Sequence, residues 1–139
     1  MLNNAAFLLA LDTSAKSGSD DPLKLVEEAI QIMGPSSDIL DTRAVVRVSQ
    51  KDYKNAIHDL ELAVTDNPTS SKYYHKAVAH LLNNENKAAV EAWEKAEELG
   101  LKRDDLNRME FEQFDDMKKK IDQIRQRKVT QAEAPRKAG

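Results

Sequence analysis

The side chains best suited to acid–base or metal chemistry in this 139-residue chain are three histidines, His58, His75 and His80. They form no i, i+4 pair, and no carboxylate stands near them at the spacing of a metal-ligand set. His58, between Ile57 and Asp59, reads as an outer-face residue. The paired acids Glu27-Glu28, Glu97-Glu98 and Asp115-Asp116 are adjacent in sequence, so on a helix they splay apart instead of converging on one proton. Asp115 with Lys119 and Asp116 with Lys120 have the favourable i, i+4 order and read as solvated helix pairs worth ~0.2–0.5 kcal/mol each. Cysteine is absent, which removes a thiolate nucleophile, a disulfide framework and the cysteine-bearing zinc modules. There is no glycine-rich phosphate loop and no serine elbow. The residues therefore predict no enzyme, no metal and no cofactor.

Charge offers a second route to function. The net charge of −3 divides into +6 over residues 117–139 and −9 over the rest, an acidic body with a basic tail. Lys118–Lys120 and Arg125–Lys128 could attract phosphate by counterion release, so nucleic-acid or acidic-surface binding is the alternative reading. The acidic body and the lack of an aromatic after Phe114 argue against it. No stretch approaches the ~20 apolar residues of a membrane span. The apolar run from Ala5 to Leu11 is short and has no basic region before it, which argues against a secretory signal. The residues do not fix a compartment; the cytoplasm is the favoured one.

The elements that would position any site are helices. Leu23, Val26, Ala29 and Ile30 form one apolar stripe with charged residues between them; Ala56, Ile57, Leu60, Ala63 and Val64 form another, and Ala89, Val90, Trp93 and Ala96 a third. Aromatics are only 5% of the chain, charged residues 32%, and glycine and proline number four each, a balance that suits helices and not many-stranded sheets. Asp21 and Pro22 predict an N-cap and first helical position. Gly34-Pro35 and Asn67-Pro68 predict breaks, and Gly100 a left-handed residue just past a helix end.

These stripes repeat. Ala29, Ala63 and Ala96 are 34 and 33 residues apart, each with a larger apolar residue three before it. The partner helices begin at Leu2, Leu40 and Tyr73, with Ala6, Ala44 and Ala77 four residues later. The pattern resembles the tetratricopeptide repeat, a helix-turn-helix unit of about 34 residues, best kept by Leu40, Ala44, Ala56, Leu60, Ala63 and Pro68. The resemblance implies an all-α, right-handed solenoid: three repeats at about 1–35, 36–69 and 70–101 and a capping helix over 102–128; the nearly apolar-free composition after Val129 predicts a disordered basic tail over 129–139. The first repeat departs most, with an insertion over Thr13–Asp21 and Pro22 at a small-residue position. Arg43 and Lys76 stand where the family has an inward leucine, which predicts shifted first helices or an exposed edge there. His80 replaces a semi-buried aromatic, and Trp93 takes the place of a core wedge.

The family binds partners along the first helix of each repeat. Carried over, the groove residues are Asn3, Phe7, Ala10, Asp38, Asp41, Val45, Val48, Ser71, Tyr74, Val78 and Leu81. The family members that clamp acidic chaperone tails use Lys, Asn and Arg at fixed groove positions. Here those positions hold Asn3, Phe7, Thr42, Ser71 and His75, so no carboxylate clamp is expected. What remains is an apolar strip of Phe7, Val45, Val48, Tyr74, Val78 and Leu81, edged by Asp38 and Asp41. It predicts a non-catalytic scaffold that presents this groove to a neutral or mildly basic peptide or helix of a protein partner. Val45 should then tolerate glutamate with little loss of stability. Met1 falls just before a repeat helix with no polar cap ahead, which predicts the C-terminal part of a larger repeat protein or stacking through that end. Phe111, Phe114, Met117, Ile121 and Ile124 form a last stripe. It closes the third repeat near Val90, Trp93 and Ala96, or else enters the groove of a second copy and makes a homodimer.

Overall fold

The computed structural model describes residues 6–8, 10 and 21–133. Over these residues the protein is all-α, a row of helices in which each packs against the next. The bounded helices are α1 (Pro22–Met33), α2 (Ser37–Ser49), α3 (Tyr53–Asp66), α4 (Ser70–Leu82), α5 (Asn86–Glu98) and α6 (Phe111–Glu133). Two 3₁₀ turns, Arg103–Asp105 and Arg108–Glu110, lead into α6. The second helices of the helix pairs, α3 and α5, each pack on the α2 or α4 before them, and α2 also touches α4 directly.

Local signals place the boundaries. Asp21 accepts a hydrogen bond from the Leu23 amide with Pro22 at the first helical position, and Ser36 and Thr69 cap α2 and α4 in the same way. Gly34 and Gly100 have φ of 82° and 84°, a region in which a Cβ is strained, so both helix ends depend on glycine. The turns inside the two helix pairs repeat each other. Lys51 and Asn84 both adopt the left-handed conformation, and in both turns the next amide, of Asp52 or Glu85, donates back to the carbonyl of Arg47 or His80.

Six alanines in equivalent places of the repeat, Ala6, Ala44, Ala77, Ala29, Ala63 and Ala96, are all completely buried. A methyl side chain at each helix crossing lets the backbones approach, and the larger Val26, Leu60 and Trp93 fill the space beside them. Among the described residues the interior falls into three clusters along the row. The largest, at the C-terminal end, joins Tyr74, Val78, Val90 and Trp93 to Phe114, Met117 and Ile121 of α6.

Some expectations change. Arg43 exposes no open edge: its guanidinium grips both oxygens of the fully buried Asp59 at 2.9 and 2.8 Å, and Arg47 adds a third bond at 2.7 Å. The hydrogen bond to Asp59 outweighs partial burial and raises the pKa of Arg43. The last helix also outruns the expected boundary at 128, continuing to Glu133, because no glycine or proline interrupts good helix formers before Pro135. The Thr13–Asp20 part of the insertion and residues 134–139 lie outside the described residues.

Candidate functional site

A cleft of about 500 Å³ opens between α2, α4 and α6. Helix α2 supplies Val45 and Val48, and α4 supplies Val78 and Leu81; the groove positions of two successive repeats thus meet in one apolar surface. They meet because a 33-residue spacing stacks α4 beside α2, and because positions three and four apart share a helix face. Ala10 lines the cleft as well, while Phe7 lies half-buried with its ring 6.0 Å from that of His75. Asn3 lies outside the described residues.

The repeat pattern does not announce the third wall. Met109, Glu112, Gln113, Asp116 and Lys120, from α6 and the turn before it, face the cleft. The same helix covers part of the expected strip. Tyr74 is completely buried, its ring 5.8 Å from Phe114 and its hydroxyl donating to Gln113 at 3.0 Å. Burial, and then the charges of Glu110 and Asp115, raise the pKa of that hydroxyl. Tyr74 is therefore floor beneath α6 and not open groove. Val78 and Val45 retain only 4% and 9% exposure, so glutamate at either would bury a charge, contrary to the tolerance expected at Val45.

Asp38 and Asp41 do not edge the cleft. Asp38 pairs with the buried ammonium of Lys72 at 2.8 Å. Asp41 binds Nδ1 of His75 at 2.7 Å, while Glu110 binds Nε2 at 2.6 Å. Glu110 is anchored from behind, since its other oxygen accepts the Asn107 amide in a capping box. With carboxylates on both sides, both ring nitrogens of His75 donate. Burial lowers its pKa, but the charge and hydrogen bond of Asp41, followed by those of Glu110, outweigh this and raise it from 6.5 to about 10.

A histidine held protonated to that pH is no general base at neutrality, which calls for a pKa near the working pH. Its carboxylates sit on opposite ring nitrogens and do not converge, and among the described residues no group of His, Asp and Glu is placed to hold a metal ion. The trio fastens the entry of α6 to α2 and α4. His80 is buried, with Nδ1 3.4 Å from Glu85, and His58 is exposed. Trp93 is a core residue, 5.4 Å from Phe114 between ring centroids.

On α6 the expected i, i+4 pairs do not form. Asp115 is taken by a two-point bond with Arg103, whose guanidinium also lies 4.3 Å from the centre of the Phe111 ring. Asp116 and Lys120 make no ion pair among the described residues. Lys118 and Lys119 are exposed, and Arg125 is engaged with Glu97 at 2.6 Å. No described helix is long and apolar enough to cross a membrane. No family model and no curated protein matches the chain.

Proposed function

We propose that the chain is a non-catalytic protein-interaction module, built of tetratricopeptide-like repeats, that holds a short segment of a partner protein in the cleft between α2, α4 and α6. The observation that carries this reading is the shared lining of Val45, Val48, Val78 and Leu81, drawn from the groove positions of two successive repeats. An open apolar cleft of this size is of the kind that holds a few anchoring side chains. A long partner helix would need the space that α6 already fills over Tyr74, so the reading narrows to a short segment. A non-catalytic role agrees with the pairing of His75 and Glu110, both in the cleft wall, which is spent on holding α6.

The test uses residues that line the cleft but remain exposed. Leu82 and Met109 retain 40% and 46% of their surface, so charges there cost little stability. Selection from a displayed random-peptide library should enrich binders on the wild type. The Leu82→Glu, Met109→Glu variant should fail to retain them while its melting temperature changes little. A wild-type protein that enriches nothing rejects the proposal, as does a double variant that retains the same peptides with equal affinity.

A further inference from the structure

The cleft has one apolar side and one charged side, and among the described residues nothing neutralises those charges. Glu112, Asp116 and Lys120 fall at i, i+4 and i+8 of α6, on one face, and all three line the cleft. None of them makes an ion pair among the described residues. Their neighbours do: Asp115 is held by Arg103, Glu110 by His75, and Arg125 by Glu97. The helix dipole accounts for Glu112 in the first turn, but it does not reach Asp116 a turn later. Two like charges one turn apart repel by a few tenths of a kcal/mol, and a cation set between them would relieve this.

We infer that the occupant of the cleft is a cationic amphipathic segment of a partner protein, with apolar side chains against Val45, Val48, Val78 and Leu81 and a lysine or arginine between Glu112 and Asp116. The inference rests on the proposed role of the cleft and adds the partner's chemistry and direction. Lys120 repels a cation at the far end and accepts a carboxylate, so the segment has one orientation: its basic residue lies toward the start of α6. Among the described residues the lining carries three carboxylates against Lys120 and the protonated His75, a net negative balance.

Peptides enriched by the wild-type protein should carry a lysine or arginine at a fixed distance from an apolar pair. A synthetic copy of the most enriched peptide, labelled with fluorescein, then serves as the probe. Replacing its basic residue by glutamine, or using the Glu112→Gln, Asp116→Asn protein, should weaken binding by roughly three- to tenfold at low ionic strength, as expected for two exposed charge pairs. The two changes together should do little more than either alone, and the difference should shrink at high ionic strength. Enrichment of apolar peptides without a basic residue, or equal affinity of the charge-neutral protein, overturns the inference and leaves the cleft's binding role standing. Enrichment of nothing overturns both.

Discussion

At the scale of residues, His75 stands between Asp41 and Glu110, separated from it by 34 and 35 positions. Nothing local in the sequence signals this trio. The partners of His75 arrive only when α2, α4 and the turn before α6 are stacked. Asp59 likewise finds its partners, Arg43 and Arg47, on another helix. The trio has a pH signature. Because the folded pKa of His75, about 10, exceeds the ordinary 6.5, the folded state binds the proton more tightly than the unfolded chain. Its stabilisation is complete below about pH 6.5 and is lost as pH rises through about 10. Thermal melts of the wild type and His75→Gln across that window should therefore converge toward the alkaline end. Parallel curves would show that His75 is not held charged.

At the scale of elements, α6 is legible in the sequence as an amphipathic helix, but only one of its neighbours is. The stripe of Phe111, Phe114, Met117, Ile121 and Ile124 reads directly from the residues, and it packs on Val90 and Trp93 as expected. That it also covers Tyr74 and Val78 is hidden, because the repeat pattern assigns those positions to an open groove. Caps and breaks at Asp21, Gly34 and Gly100 are legible because their chemistry is local: a side-chain acceptor, and a φ that disfavours a Cβ. The packing also sets the consequence of removing α6. A chain ending at Gly100 exposes Tyr74, Val90 and Trp93 together, and each large apolar side chain so exposed forfeits ~1.5–3 kcal/mol of burial. We expect that truncation to lose cooperative thermal unfolding, starting from a full-length monomer. A full-length dimer that becomes a well-folded monomer on truncation would instead identify α6 as an element exchanged between copies.

At the scale of the whole molecule, α6 has two duties that cannot be separated: it closes the C-terminal core with one face and walls the cleft with another. On the proposed role, binding and stability are then linked. A segment in the cleft touches α6 only in its docked position, so it stabilises docking, and loss of docking weakens the segment's apparent affinity in proportion to the docked fraction. Ile121 tests this link because it is fully buried in the core cluster but does not line the cleft. Shortening it to alanine removes about 2–5 kcal/mol of packing at a position no ligand can reach. Amide exchange in α6 should accelerate in Ile121→Ala, and the affinity for the selected peptide should fall although every cleft side chain is intact. Added peptide should slow that exchange again, and should do so less in a protein that also carries Glu112→Gln and Asp116→Asn. Faster exchange in α6 with unchanged peptide affinity would mean that α2 and α4 bind alone and that α6 is a cap with no part in recognition.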